Sequence, residues 1–404
     1  MNPSTITMPM PAWNNPMVYR ISELSLRKEI ERVGIDTASL PIFEAKSKML
    51  FFKLTALSSP AANIIKQEML SAGGDAAVHR HAINCKIEKT DVILMGTRAQ
   101  ISRAARKLLQ MNYWGLRETG EALLAQLKQK AKEWGLRGKT YNMEENTYLM
   151  GIINVTPDSF YRGSRINPER AGEIAERMAE EGADFIDIGG ESTRPGAEPV
   201  PLEEELKRVV PAVREVRKRV DLPISVDTYK AEVARAALEE GADIINDISA
   251  LRFDPAMAEV AARYKVPVIL MHIKGKPRDM QKSPHYEDAV KEILLFLKER
   301  AAFAQEAGIE NIAVDPGIGF GKRLEDNLEI LRSIEAFASL GYPVLVGHSR
   351  KSFIGVLTGA EVEERAAPSA SLTFYLALKG VSLIRVHDIK INKMSLDLAK
   401  GIKG

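Results

Sequence analysis

The sequence predicts a (β/α)8 barrel preceded by a smaller α/β or α+β domain, and three observations predict it. From about residue 148 onward, short apolar runs alternate with amphipathic stretches, the pattern of βα units on a parallel sheet. There are eight such runs, spread over the ~250 residues that a barrel of this kind occupies. Polar side chains collect at the C-terminal ends of the runs, where a barrel builds its site.

The runs cover 148–154, 184–188, 223–227, 243–247, 267–272, 312–315, 343–348 and 382–388. Several are nearly continuous Val, Ile and Leu, as expected of parallel strands buried on both faces. Between them, 169–184 and 229–243 read as helices that end in Glu-Gly-Ala-Asp, with Gly182 and Gly241 suited to the left-handed turn past a helix C-terminus. An open doubly wound sheet is the competing fold, but no run is followed by the dinucleotide fingerprint G-x-G-x-x-G. Residues 1–145 have a different texture. Helices are expected at 22–33, 60–71 and 99–111, and strands at 49–57 and 91–95. Residues 128–146, rich in Lys, Gly, Glu and Asn, read as a charged helix end and linker. The expected domains are therefore 1–145 and 146–404.

Composition narrows the functional classes. Hydrophobic residues at 45% and charged residues at 27% give an ordinary core-forming balance. A net charge of +2 without a basic cluster argues against a nucleic-acid partner. Cys85 is the single cysteine, which excludes an intrachain disulfide. No basic segment leads into an apolar run at the N-terminus, and no uncharged apolar window approaches about 18 residues. No membrane partner is expected, and the cytoplasm is the expected compartment. His79, His81 and Cys85 offer three candidate metal ligands where a structural zinc site usually takes four in paired spacings, so they read as structural or surface residues.

The strand ends carry the chemistry. Asn154 closes the first run, Asp187 the second, Asp227 and Thr228 the third, and Asn246 with Asp247 the fourth. Met271 and His272 close the fifth, and Asp315 opens Pro-Gly-Ile-Gly-Phe-Gly-Lys after the sixth. His348-Ser349-Arg350-Lys351-Ser352 follows the seventh, while Arg385, His387 and Asp388 close the eighth. Taken singly, each Asp or Asn reads equally well as a helix cap or turn residue. Taken together they do not, because an unpaired buried polar group costs roughly 1–3 kcal/mol. Asp187, Asp227, Asn246 and Asp315 describe a pocket floor rich in acceptors, and Arg194, Lys351 and Arg385 a cationic rim. Such a pocket suits a flat nitrogen-rich heterocycle whose attached group is anionic.

These segments resemble the dihydropteroate synthase family. Asn154-Val-Thr-Pro-Asp-Ser-Phe and the segment from Gly189 to Gly196, Gly-Gly-Glu-Ser-Thr-Arg-Pro-Gly, are similar to its two signature segments, and six further strand-end segments follow in the family's order up to Arg385-Val-His387-Asp388. The resemblance covers residues 148 to about 395. It implies a (β/α)8 TIM barrel that condenses 6-hydroxymethyl-7,8-dihydropterin diphosphate with 4-aminobenzoate in folate biosynthesis, a target of sulfonamides.

Carried over position by position, it implies that Asp227, Asn246, Met271, Asp315, Gly319, Phe320, Lys351 and Arg385 hold the pterin. Asp227, Asp315, Lys351 and Arg385 would be catalytic. Asn154, Arg194, Arg385 and His387 would contact the diphosphate, with Asn154 a ligand of Mg2+. Phe160, Thr193, Pro195, Lys351 and Ser352 would border the aminobenzoate, whose carboxylate could meet the start of the helix that Ser352 opens. Small-molecule substrates and a homodimer are implied as partners.

One position departs from the pattern. Arg162 stands where the family commonly has a second Asp that orders the mobile loops, so Arg162 is expected to contact diphosphate or to face solvent. The rival readings are a methyltetrahydrofolate-dependent methyltransferase and a non-catalytic pterin-binding protein. The methyltransferase has no need of a diphosphate clamp or the Ser-Thr-Arg-Pro loop. The first domain is expected to mediate oligomer contacts rather than to cover the barrel mouth, because the chain enters the first strand at the opposite, N-terminal face.

Overall fold

The computed structural model describes residues 23–128, 132–155, 168–194 and 196–403, and the chain divides into two compact units between Lys128 and Gln129. The first unit is an α+β domain. Strands β1 (Met49–Ser58), β2 (Asp75–Val78) and β3 (Lys89–Thr97) form an antiparallel sheet in the order β1-β3-β2. Helices α1 (Glu23–Arg32) and α2 (Leu40–Ser47) precede it, and α3 (Ser59–Ser71), α4 (Arg98–Leu108) and α5 (Leu116–Leu127) complete the unit. Its core gathers Ile65 and Met69 of α3, Val92 and Leu94 of β3, Ile101 and Leu108 of α4, and Leu116 and Leu123 of α5. Local sequence sets the element starts. Thr97 and Gln100 make a reciprocal capping box at the head of α4, which satisfies two otherwise unpaired backbone donors. The expected helices and strands of this region are present. Strand β2 and helices α2 and α5 are additions.

In the second unit, β4 (Glu133–Leu136) and β5 (Lys139–Asn142) form an antiparallel hairpin. Eight parallel strands follow: β6 (Tyr148–Asn154), β7 (Phe185–Gly189), β8 (Ile224–Asp227), β9 (Ile244–Asp247), β10 (Val268–Met271), β11 (Ile312–Asp315), β12 (Leu345–Gly347) and β13 (Leu383–Val386). Their order is β11-β10-β9-β8-β7-β6-β13-β12, and a parallel bridge between Val314 and Val344 closes the ends into a barrel. The interleaved helices are α6 (Pro168–Glu180), α7 (Leu202–Arg219), α8 (Ala231–Glu239), α9 (Met257–Tyr264), α10 (Ala289–Glu306), α11 (Leu324–Arg332), α12 (Ile334–Ala338), α13 (Ser352–Thr358), α14 (Ala366–Leu378) and α15 (Ile389–Lys403). Gly182 and Gly241 lie at φ 99° and 102° after α6 and α8, as their Glu-Gly-Ala-Asp endings predict. Each is followed by a backbone bond back to the last helical turn: Ala183 N to Met178 O and Ala242 N to Ala237 O, both 2.9 Å.

The two-residue period of a strand sorts the barrel side chains into two sets. One set packs outward on the helices and includes Leu149, Ile153, Ile186, Ile188, Ile224, Val226, Ile245, Leu270, Val314, Val346 and Ile384. The other forms an inner layer of Met150, Phe185, Ile244, Ile269, Ala313, Leu345 and Leu383.

This inner layer joins Trp134, Leu136, Tyr141 and Met143 in one cluster, so the hairpin plugs the barrel's N-terminal end. Here the structure corrects the sequence reading, since the segment expected as linker is a structural part of the barrel. Apolar residues two apart on each arm face the barrel, and the loop residues Arg137 and Gly138 both have positive φ, 51° and 72°, as a tight two-residue hairpin turn needs. Arg137 is also tied to Asp221 at 2.7 Å and Asp243 at 3.4 Å.

Trp134 is almost wholly buried, so Trp134→Ala should lower the unfolding free energy of the second unit by about 3–5 kcal/mol. A chain beginning at residue 129 keeps the plug, whereas one beginning at residue 146 loses it and should melt at a lower temperature. Circular dichroism melts of the two truncations compare them directly, and equal midpoints would remove the hairpin from the barrel's stability.

Candidate active site

The same alternation that builds the inner apolar layer places the polar residues. Two residues beyond Phe185, Ile244, Ala313 and Leu383 come Asp187, Asn246, Asp315 and Arg385, so each faces inward at the C-terminal mouth. Asp227 stands two residues beyond Ser225 on β8, and the parallel register sets it beside Asn246. Asp187 is fully buried, and Asn246 and Asp315 nearly so.

Arg385 lies at the centre of this group. Its Nε donates to Asp187 Oδ2 at 2.5 Å, and its Nη2 donates to Asp227 Oδ2 at 2.7 Å. Asn246 Nδ2 approaches both oxygens of Asp187, at 3.4 and 3.5 Å. Two carboxylates thus share one guanidinium. Burial pushes the Asp227 carboxyl up to about 7, opposed by Arg385 and reinforced by the negative charges of Asp187, Glu205 and Asp247. Burial works against the charge on Arg385 too, but Asp187 and Asp227 more than offset it and hold the guanidinium above its ordinary value.

A second group is built by the loop after β11. Asp315 Oδ1 accepts from Gly317 N at 2.7 Å. Gly317 has φ +67°, and a Cβ there would stand 2.0 Å from the His272 carbonyl oxygen, so no larger residue fits. Asn327 and Gln281 fix Gly319: its N–H donates to Asn327 Oδ1 at 2.7 Å, and Gln281 Nε2 donates to its carbonyl at 2.8 Å. Lys351 Nζ donates to the Ile318 carbonyl and sits 4.2 Å from the centre of the Phe320 ring. Burial pulls the Lys351 amine down to about 7, opposed by Asp315. It also pushes the Asp315 carboxyl up, opposed by Lys351. Met271 and Phe320 join Ile248, Ile273 and Met280 in a small apolar cluster at this end.

The remaining expected residues form no single cluster. His387 Nδ1 is 3.0 Å from Ser349 Oγ, and burial, helped by Arg385 and Arg350, lowers its imidazole to about 4. Asn154 ends β6 half-buried, Thr193 is half-buried, and Arg194 and Ser352 are exposed. Phe160, Arg162 and Pro195 lie outside the described residues.

Among the described residues no group of three His, Cys, Asp or Glu side chains could hold a metal ion. For Mg2+ at the mouth, Asn154 offers one hard oxygen donor. An ion there would take its other ligands from a diphosphate and water, which suits a cation that keeps much of its hydration.

Three features went unread in the sequence. Asp187 reads from the sequence only as one acceptor of the pocket floor, whereas its ion pair with Arg385 spans strands 198 residues apart. Lys322 is buried, with Nζ 3.0 Å from both His272 Nδ1 and Phe320 O, which ties the β11 loop to the end of β10. Glu191 and Glu205 are bridged by Lys230, at 2.6 Å for Glu191, and Tyr229 OH donates to Glu191 at 2.7 Å, bracing the loop after β7. Lys322 and Glu191 lie inside quoted segments without an assigned role, and Glu205 and Lys230 lie in no motif at all. Asp247 is the opposite case. It accepts from Ser249 N and Oγ, both at 2.7 Å, and from Leu251 N at 2.9 Å, the plain turn-capping role of a strand-end aspartate.

Comparison with known proteins places the chain in a family. Residues 150–387 match the family model of pterin binding enzymes. A dihydropteroate synthase of Synechocystis is 45% identical over 262 residues, which cover 64% of this chain and 88% of the relative. A probable bifunctional folylpolyglutamate synthase/dihydropteroate synthase of Haloferax volcanii is 37% identical over 388 residues, 92% of this chain and 46% of that protein. That alignment necessarily includes part of the N-terminal unit. Among solved structures, Xanthomonas albilineans dihydropteroate synthase with 4-aminobenzoic acid superposes with a TM-score of 0.64 at 44% identity, covering 68% of this chain and 99% of that one.

The raised carboxyl of Asp227 gives a signed stability prediction. Its ordinary value is 3.8 and its folded value about 7, so between those pH values the folded state binds more protons than the unfolded. Stability must then fall as pH rises through that window. Asp227→Asn lacks this contribution, so the stability of the variant relative to the native protein should increase from pH 4 to pH 7. Urea titrations of both ligand-free proteins at several pH values measure it, and a constant difference would remove the assignment.

Proposed function

Since the chain belongs to the pterin-binding enzymes and acts as a dihydropteroate synthase, a transferase of folate biosynthesis, we propose that its barrel mouth holds the pterin between Asp227, Asn246, Asp315 and Lys351, with Arg385 serving both ring and diphosphate. One observation carries this reading: the buried acceptors Asn246 and Asp315 and the partly exposed Asp227 are joined at the same mouth by two cations, Arg385 and Lys351. A dihydropterin presents N–H donors along one edge and an anionic leaving group at the other, and this charge pattern is its complement.

In the reaction the amine of 4-aminobenzoate forms a C–N bond to the methylene carbon of the pterin. The C–O bond to diphosphate breaks, and the amine loses a proton. Asp227 and Asp315 accept ring N–H donors and stabilise positive charge that develops on the pterin as diphosphate departs. Met271, Gly319 and Phe320 supply the packing surface. Arg385, Arg194 and His387 meet the diphosphate. His387 is neutral near pH 7, so it enters as a hydrogen-bonding group, and its imidazole would gain a proton more readily once the anion sits beside it. Thr193, Lys351 and Ser352 border the aminobenzoate, as Phe160 and Pro195 would. Asn154 would hold Mg2+, which when bound neutralises charge on the departing diphosphate.

We place the protein in the cytoplasm, the compartment its sequence leads one to expect, and as a homodimer on the strength of the family resemblance. Among the described residues no helix is long and apolar enough to cross a membrane. The N-terminal unit is assigned to oligomer contacts, a role kept separate from the barrel mouth.

The test is direct. Purified protein with Mg2+, 4-aminobenzoate and 6-hydroxymethyl-7,8-dihydropterin diphosphate should yield dihydropteroate by mass spectrometry, with product lost in EDTA. Arg385→Ala should lower kcat/KM by on the order of 10²–10³-fold, the usual effect of removing one aimed donor. Pterin binding without product would favour the non-catalytic reading. Removal of residues 1–128 should change the mass seen by light scattering more than it changes turnover, and an inactive dimer would reverse that assignment.

A further inference from the structure

We propose that Asp187 is a positioning residue for the reaction, the permanent counterion that anchors Arg385 and orients Asn246, so that Asp227 is free to exchange Arg385 for the pterin. This rests on the pterin-binding reading above and adds a division of labour between two carboxylates that contact the same guanidinium.

The two are not equivalent. Asp187 has no exposed side-chain surface, whereas Asp227 retains 11%. Asp187 meets Arg385 through Nε and also faces the Asn246 amide, while Asp227 meets only Nη2. A ligand entering from the mouth therefore reaches Asp227 and not Asp187. Ring N–H donors can take over the Asp227 oxygens at little electrostatic cost if Arg385 keeps another partner. Without Asp187, the same exchange would strand a buried guanidinium, and breaking one side of a buried pair is the expensive case.

Asp187 also settles the orientation of Asn246. Its carboxylate oxygens only accept, so the Asn246 edge facing them must be the NH2 group, and the carbonyl oxygen is turned the other way. Asn246 is thereby presented to the ring edge as an acceptor, in keeping with Asp227 and Asp315. The main-chain register supports the grouping: Asp187 lies opposite Ser225, and Asp227 opposite Asn246, on the three adjacent strands β7, β8 and β9.

The groups facing Asp227 are Arg385, Asp187, Glu205, Asp247 and, across the mouth, Lys351. Removing the charge of Asp187 takes away one of the negative neighbours and leaves Asp227 as the sole carboxylate on Arg385. Asp227 should then ionise at lower pH, and with it pterin binding.

The experiment is calorimetric titration of full-length protein with 6-hydroxymethylpterin from pH 5 to pH 9, for the native protein, Asp187→Asn and Asp187→Glu. Native affinity should rise as pH passes through about 7. In Asp187→Asn the rise should move to lower pH, the plateau affinity should fall, and kcat should drop on the order of 10²-fold, as expected for a misplaced catalytic group, with little change in the KM for 4-aminobenzoate. Asp187→Glu should restore the native pH profile in part. An unchanged profile in Asp187→Asn, at native affinity, would overturn the proposal. Native protein that fails to bind the pterin at all would instead overturn the functional reading on which it rests.

A measurement on the native protein covers the case in which the variants do not fold. The Arg385 Nε–H resonance, identified by its loss in Arg385→Lys, should stay protected from solvent exchange when pterin binds. Loss of that protection on binding would show that Asp187 lets go of Arg385, and the proposal would fail.

Discussion

The mouth of the barrel depends on one guanidinium held between two carboxylates. Burying such a group is costly, and an ion pair in a low-dielectric site seldom repays its desolvation in stability. The Asp187–Arg385–Asp227 arrangement is therefore weak as a source of fold stability and strong as a source of geometry. It fixes a planar cation at the centre of the pocket and leaves acceptor oxygens around it. The stability that lets the protein carry this arrangement must come from elsewhere in the second unit.

It comes from the separation that strand alternation imposes. Outward-facing residues such as Ile186, Val226 and Ile384 bury themselves against the helices, and inward-facing residues divide by height. The lower inner layer is apolar except for Ser225 and is sealed by Trp134 and Tyr141 of the hairpin. Tyr141 lies 4.8 Å from Phe185, ring centre to ring centre, within the range of favourable aromatic packing. Charged groups of the barrel interior are thus gathered at the end where a ligand can reach them. The loops above that layer are held by close backbone approach rather than by bulk. Gly317 passes under the His272 carbonyl, a Cβ at Gly321 would stand 2.4 Å from the Lys274 carbonyl oxygen, and Lys322 ties the two segments together. Each contact limits where Asp315 and Lys351 can stand.

The parts of this architecture that local pattern encodes were legible in the sequence. Runs of Val, Ile and Leu predict strands within a residue or two because burial on both faces leaves them little other choice. The Glu-Gly-Ala-Asp endings predict left-handed turns because only glycine adopts them without strain. Strand-end position also identified Asp227, Asn246, Asp315, Lys351 and Arg385 as a set that one end of the barrel gathers. The hairpin was missed because its charged exposed positions, Glu133, Arg137 and Lys139, mask a two-residue alternation of Trp134, Leu136 and Tyr141. The partnership of Asp187 with Arg385, and that of Lys230 with Glu191 and Glu205, depend on closure of the barrel and on helix packing, which no local pattern carries. Asp247 shows the reverse limit, since residue type and strand-end position alone could not distinguish it from its functional neighbours.

Charge explains why the pocket keeps both a guanidinium and an amine. Three aspartates, Asp187, Asp227 and Asp315, face Arg385 and Lys351, which leaves one excess negative charge if all are ionised. Burial raises Asp227 toward 7 and Asp315 above its ordinary value, which lessens that excess, and draws Lys351 down to about 7, which works against it. Asp227 and Lys351 then titrate in the same range, so protons can redistribute among them as a ligand arrives. Ring N–H donors favour the ionised carboxylates, and a diphosphate favours the protonated amine. A ligand carrying both at its two ends therefore drives the mouth toward the charge state that binds it best, and a fragment with only one of them leaves half of that electrostatic gain unrealised.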